Sequence, residues 1–240
     1  MKHFGIIGKP LRQSFSAKHF NEKFAREGID AEYSLYPLER IEEFSALLER
    51  VSFAGMNVTI PYKSEVIPYL TTLDETAKEI GAVNVIRFSE DGRTVGYNTD
   101  ALGFIESIRP MLKATDKEAL VLGTGGAAKA CRYGLEKLGL QVTNVSRTPK
   151  EGQLDYKGLE LGKYQVIVNC TPLGMFPETE DCPPIRYEEL SPAQFLFDCI
   201  YNPEETVFLK EGRLRGCRTQ NGMGMLMGQA KAAWRIWCNL

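Results

Sequence analysis

The sequence predicts an α/β protein with two domains. Three observations carry that expectation. Strand-like apolar runs alternate with helix-like runs along the chain, a glycine-rich turn joins one such strand to a helix in the second half, and no repeat or low-complexity segment intervenes. Alternation of this kind implies a largely parallel sheet with helices on its faces. The 240 residues, 43% hydrophobic and 25% charged, have an ordinary globular composition and suffice for two modest domains.

Several function classes are set aside at once. A net charge of −2 provides no basic surface for nucleic acid or for an anionic membrane. No apolar run approaches the roughly 18 residues that cross a bilayer. The start, "MKHFGIIGKPLRQSFS", has too short an apolar run for a signal-peptide core. The expectation is a cytosolic chain acting on a small molecule, with monomer and homodimer both open. Six cysteines lie scattered without a C-x-x-C pair, several inside apolar runs such as "VIVNC" and "FLFDC". They read as buried thiols, and no metal site is expected. With His3 and His19 the only histidines, acid–base work falls to Lys, Asp or Tyr.

In chain order, "FGIIG" (4–8) is a short buried strand. Residues 16–27 form a helix with Phe20 and Phe24 on one face and Gly28 at its end. "AEYSLYPL" is a strand and "RIEEFSALLERV" a helix. "FAGMNVTI" is a strand in which Met56, Val58 and Ile60 alternate with Asn57 and Thr59, the period of a half-buried strand. Pro61 ends its ladder, because proline has no N–H to donate. "NVIRFS" and "RTVGYN" flank the turn "EDG" as a hairpin. A helix begins after Thr99. Near residue 117 a second unit opens, with strand, glycine turn, helix and strand in "ALVLGTGGAAKACRYGLEKLGLQVTNVSR". "YQVIVNCT" and "AQFLFDCI" are two more buried strands. The intervening "QLDYKGLELGKYQ" is short, so helices there are trimmed. A last helix carries Met225, Leu226, Ala230, Ala233, Trp234 and Trp237 mainly on one side and returns to the first domain. The domains are then 1–100 with 222–240, and 101–221.

The turn "GTGGAA" (123–128) has the context that a dinucleotide site needs. Gly123 permits the tight turn, Gly125 and Gly126 let the backbone approach a pyrophosphate, and Ala128 leaves room for helix–strand packing. The helix start offers N–H groups and partial positive charge to the phosphates. The next strand ends at Ser146, Arg147 and Thr148, with Lys150 nearby and no acid to hold a ribose 2′-hydroxyl. A base there suits a 2′-phosphate, which favours NADP(H).

Two polar stretches mark the first domain. "NVTIPYK" brings Lys63 just past a strand end, where α/β proteins hold ligands, and "GYNTDALG" places Asn98, Thr99 and Asp100 before a helix. Taken singly, Thr99 and Asp100 also suit N-caps, and Lys63 a solvated charge. Together with "GAVN", "GTGGAA", "NCTPLGM", "DCIYNPEETVFL" and "NGMGMLMGQAKAAW", in this order over nearly the whole chain, they resemble the shikimate dehydrogenase family. The resemblance implies a substrate-binding domain followed by a Rossmann-type domain, and reversible NADP-dependent reduction of 3-dehydroshikimate to shikimate.

The resemblance also implies roles. Lys63 matches the catalytic lysine and Asp100 its paired aspartate. Ser14, Ser16, Thr59, Asn84, Tyr201 and Gln229 match substrate-side positions. Gly123, Gly125, Gly126 and Ala127 match the diphosphate turn, Ser146, Arg147 and Thr148 the 2′-phosphate side, and Thr171 and Met223 the nicotinamide. The proposed site is the cleft between the domains. The chain departs from the family pattern at Ala17, Val85, Thr124 and Ser146, so 2′-phosphate recognition rests on Arg147 with Thr148 and Lys150. Alternatives are a quinate/shikimate or aminoshikimate-type dehydrogenase, a folate-linked dehydrogenase of similar plan, and a non-catalytic regulator that binds NADP or a metabolite.

Overall fold

A computed structural model describes residues 1–11 and 14–239 of the chain. The chain divides into two compact units, residues 1–99 with 230–240, and residues 100–229. No helix among the described residues is long and apolar enough to cross a membrane.

The first unit is built on a mixed sheet. Its elements are β1 (Lys2–Gly8), α1 (Phe15–Glu27), β2 (Ala31–Pro37), α2 (Glu43–Arg50), β3 (Phe53–Val58), β4 (Thr72–Leu73), α3 (Glu75–Ile80), β5 (Val85–Phe88) and β6 (Thr94–Tyr97). The strand order is β2-β1-β3-β5-β6-β4. β1 runs parallel to β2 and β3, whereas β5 is antiparallel to β3 and β6. Helix α1 ends as glycine allows, with Gly28 at φ 63° donating its N–H to the Phe24 carbonyl.

β3 lies between β1 and β5, and this corrects the alternating pattern expected for it. Asn57 is 5% exposed whereas Ile60, beyond the strand's end, is 62% exposed. A central strand covered on both faces has no solvated side, so a polar residue within it must find partners. One face packs Ile7, Phe44, Leu47, Met56 and Val58. The other packs Phe4, Phe20, Phe24 and Tyr33 against Trp237. The Trp237 ring lies where a side chain on Gly55 would stand, and its Nε1 donates to the Ile86 carbonyl at 3.1 Å.

The second unit is a doubly wound sheet. After α4 (Thr99–Ile108) come β7 (Glu118–Leu122), α5 (Gly126–Lys137), β8 (Gln141–Val145), β9 (Gln153–Leu154), β10 (Val166–Asn169), β11 (Phe195–Asp198), α6 (Val207–Leu214), β12 (Arg218–Gln220) and α7 (Met223–Trp237). The order is β12-β11-β10-β7-β8-β9, all parallel. Counted from β7, this is the mononucleotide-fold order 3-2-1-4-5-6, with its reversal between β7 and β10. Residues 153–165 form only β9 and a single 3-10 turn at Leu161–Lys163. Helix α7 begins in this unit, and from Ala230 onward it belongs to the first.

Small residues let α4 and α7 cross closely. A Cβ on Gly103 would stand 2.7 Å from the Gln229 amide nitrogen, and one on Gly228 would stand 2.9 Å from the Gly103 Cα. Gly103→Ala is therefore expected to force the two helix backbones apart and cost about 1–3 kcal/mol. A thermal melt that matched the parent chain would refute this packing.

Candidate active site

In the first unit the site is prepared at the carboxyl end of β3. Beyond Val58 the chain stays pinned to β1, because the Thr59 N–H donates to the Ile7 carbonyl at 2.9 Å. The Tyr62 N–H then closes a turn onto the Thr59 carbonyl, and the Tyr62 hydroxyl donates to the Leu38 carbonyl at 2.7 Å. Lys63 is half-buried on this turn, and its own carbonyl accepts from the Val83 N–H at 2.7 Å. Its backbone is thus held from two sides.

A buried hydrogen-bonded chain runs behind it. Ser16 bonds the Tyr33 phenol, whose hydroxyl donates to Asn57 Oδ1 at 2.6 Å. Asn57 Nδ2 donates to the Asn84 carbonyl at 3.1 Å. The Asn84 side chain then meets Thr99 three times: Oδ1 accepts the Thr99 N–H at 2.7 Å and its hydroxyl at 3.3 Å, and Nδ2 donates to Thr99 Oγ1 at 2.9 Å. Burial drives the Tyr33 phenol's pKa well up, with the Ser16 bond opposing in part. This chain answers the N-cap expectation. Thr99 and Asp100 lie inside the first turn of α4, and a donor there is satisfied by Asn84 from a neighbouring segment.

Ser14 stands half-buried at the N-cap of α1, without a capping bond from its side chain. Asp100 is 6% exposed in the first turn of α4, and it begins the second unit. Gln229 is buried and Met223 exposed on α7. Tyr201, after β11, is half-buried, and burial raises its phenol's pKa.

In the second unit the glycine turn sits at the strand-order reversal. Gly123 has φ 111°, a conformation that favours glycine, and its N–H donates to the Val145 carbonyl. Its carbonyl accepts from Asn144 Nδ2 at 3.1 Å, and Asn144 Oδ1 in turn accepts from Arg132 at 2.9 Å. Gly125 caps α5 without a side-chain bond, and a Cβ there would meet nothing within 4 Å. The turn therefore presents open backbone and a helix N-terminus to a diphosphate, and Gly126 and Ala127 open that helix. Ser146 is fixed by its N–H to the Leu154 carbonyl and accepts the Thr148 N–H on its hydroxyl at 3.2 Å. Arg147, Thr148 and Lys150 are exposed beside it. Burial raises the Tyr156 phenol's pKa while the Arg147 charge opposes it, which brings this ring near the same corner. The residues fit a dinucleotide bearing a 2′-phosphate.

β10 and β11 end in a second polar cluster. Asn169 Oδ1 accepts both the N–H and the hydroxyl of Thr171, at 3.0 and 2.7 Å. Asn169 Nδ2 donates to Asp198, which also accepts from the Ile200 N–H at 3.0 Å and from Thr206 Oγ1 at 2.6 Å. Thr206 caps α6.

The structure thus gathers Ser16, Thr59, Lys63 and Asn84 on one framework in the first unit. In the second it gathers Gly123–Ala127, Ser146–Thr148 and Thr171 along the carboxyl edge of one sheet. Sequence reasoning missed Tyr33, Asn57, Asn144, Asn169 and Asp198. Their common signal is a polar residue set within an apolar strand.

A doubly wound sheet with an open glycine turn at its switch point, in a chain whose other unit is a mixed α/β sheet with a lysine past a strand end, is the build of a nicotinamide-dinucleotide-dependent oxidoreductase. The comparisons sharpen this class. A family model described as the shikimate dehydrogenase substrate binding domain matches residues 6–86. The chain is 39% identical over 256 residues to shikimate dehydrogenase (NADP(+)) of Geobacillus kaustophilus, covering 98% of this chain and 92% of that one. Among solved structures, shikimate 5-dehydrogenase of Thermus thermophilus in complex with NADP(H) and shikimate aligns at TM-score 0.89 and 30% identity, covering 100% of this chain and 94% of the other. Quinate dehydrogenase of Corynebacterium glutamicum in complex with NAD aligns at TM-score 0.87 and 26% identity, covering 100% and 94%. The chain belongs to the shikimate dehydrogenase family.

Asp198 makes one property of the site measurable. Burial raises its carboxyl to about 7, against the opposing bonds from Thr206 and the Ile200 N–H. In the unfolded chain an aspartate loses its proton near 3.9. The folded state therefore holds the extra proton between these values, and stability falls as pH rises from about 4 to about 7. Asp198→Asn removes this term. Its melting temperature relative to the parent chain is expected to rise between about pH 4 and about pH 7 and to level off above that; a difference independent of pH would show the carboxyl to be ionised throughout.

Proposed function

We propose that the chain catalyses the reversible, NADP-dependent reduction of 3-dehydroshikimate to shikimate, a step toward aromatic amino acids. The observation that carries this reading is family membership over nearly the full length of the chain. The substrate is a small ring with a carboxylate and several hydroxyls. Ser14, Ser16, Thr59, Asn84, Tyr201 and Gln229 are the neutral hydrogen-bonding side chains assigned to it. Because Ser16 and Asn84 are already joined through Tyr33 and Asn57, their polar atoms are held in fixed directions.

NADP(H), when bound, supplies or accepts the hydride. Reduction adds that hydride to the carbonyl carbon and a proton to its oxygen. Lys63, as an ammonium, hydrogen-bonds the oxygen, stabilises the charge that develops on it and gives it the proton. Asp100 is the second ionisable group assigned to the reaction. The N–H groups of Gly125, Gly126 and Ala127 hold the diphosphate, and Arg147 with Thr148 and Ser146 holds the 2′-phosphate. Thr171 and Met223 flank the nicotinamide. The reading keeps the chain in the cytosol, where thiols stay reduced. A quinate/shikimate dehydrogenase using NAD is the second reading, favoured by the likeness to the quinate enzyme.

The test follows reduced nicotinamide formed from shikimate, with NADP⁺ and NAD⁺ in parallel and quinate as second substrate. Rapid NADP⁺-linked turnover of shikimate is expected, and preference for quinate with NAD⁺ would overturn the first reading. Lys63→Ala is expected to lower kcat by about a hundred- to ten-thousand-fold with much less effect on KM; an unchanged kcat would remove Lys63 from the chemistry. Arg147→Ala is expected to raise KM for NADP⁺ about ten-fold and leave KM for NAD⁺ unchanged, since one charge-assisted contact is lost. Equal effects on both cofactors would place Arg147 away from the 2′-phosphate.

A further inference from the structure

Beneath the dinucleotide edge, three cysteines from distant parts of the chain converge. Cys131 lies in the second turn of α5, Cys170 directly follows β10, and Cys199 directly follows β11. The Cys131 and Cys199 sulfurs are 3.6 Å apart, those of Cys170 and Cys199 3.5 Å apart, and all three lie within 4.8 Å of one another.

We propose that Cys131, Cys170 and Cys199 form a binding site for one thiophilic divalent cation of the zinc class. The spacing carries this assignment. A tetrahedral cation with bonds of about 2.3 Å to sulfur sets its sulfurs about 3.8 Å apart. The two separations made by Cys199 are already close to that value, the third is no more than 4.8 Å, and all are far from the roughly 2.05 Å of a disulfide. Three sulfurs leave the fourth tetrahedral position for water.

Each thiol that binds the cation passes its proton to solvent, and nothing is oxidised or reduced. Cys131 is buried whereas Cys170 and Cys199 are partly exposed, which provides an entry side.

Occupancy would tie α5 to the ends of β10 and β11. Gly123 is packed against the same place, since a Cβ on it would stand 3.3 Å from the Cys170 carbonyl oxygen. The cation would therefore brace the turn assigned to the diphosphate. The spacing rule for metal-binding cysteines misses the set because these three are far apart in sequence.

The test titrates the reduced full-length chain with Zn²⁺ against a chromophoric chelator, and in parallel with Co²⁺, whose thiolate charge-transfer absorption reports the number of sulfur ligands. One equivalent is expected. Cys199→Ser and Cys170→Ser are each expected to weaken it at least ten-fold, and a variant with Cys182, Cys217 and Cys238 all changed to serine is expected to bind as the parent does. No Zn²⁺ bound at micromolar concentration, or equal binding in Cys199→Ser, would overturn the site. Should both single variants fail to fold by circular dichroism, the Co²⁺ spectrum of the parent chain decides. Three thiolate ligands would uphold the proposal, and no thiolate band would sink it.

Discussion

A buried asparagine amide carries two donors and an acceptor that water no longer serves, and this constraint organises both halves of the chain. Leaving one such group without a partner costs about 1–3 kcal/mol, a large share of a domain's stability. Asn57, Asn84, Asn144 and Asn169 are all 5% exposed or less. Each is satisfied by partners from other segments, so each welds two or more chain elements at a strand end. Asn57 and Asn84 join β2, β3 and the start of α4. Asn144 joins β8 to the glycine turn and to α5. Asn169 joins β10 to β11 and to the residues that follow.

The placement of these welds explains how a site made of short loops stays in register. Loops that carry chemistry lack the regular ladder that fixes a strand. Here the backbone beyond β3 is held by the Ile7 and Val83 bonds, and Thr171 is folded back onto Asn169 by two bonds. The groups assigned to substrate and cofactor therefore stand on buried scaffolding rather than on exposed loops alone. Such preorganisation is what hydride transfer asks of a protein, because the hydride itself comes from the cofactor.

Much of this was legible beforehand. The glycine turn, the long helices and the apolar strands all carry strong periodic or punctuating signals, and Gly28 and Gly123 occupy the conformations that their residue type suggests. Several elements escaped. β4, β9 and β12 have two or three residues each, too few for any period to register, and α3 and α6 have six and eight. The alternation read into β3 failed because a central strand has no wet face, so Asn57 could not be told from a surface residue by spacing alone. Lys63, Asp100 and Asn84 drew notice as polar groups at strand and helix ends, but Asn144 and Asn169 did not. Their partners lie tens of residues away, and distance in sequence hides them.

Helix α7 has a further implication for how the molecule is made. Its last turns belong to the first unit, where Trp237 fills the hollow over Gly55 between Phe4, Phe20 and Tyr33. A ribosome delivers that tryptophan only after the whole second unit has been synthesised. The sheet that emerges first thus waits with one aromatic wall open. Its folding cannot finish as a simple N-terminal-first event. The second unit, whose residues run without interruption, can close before it.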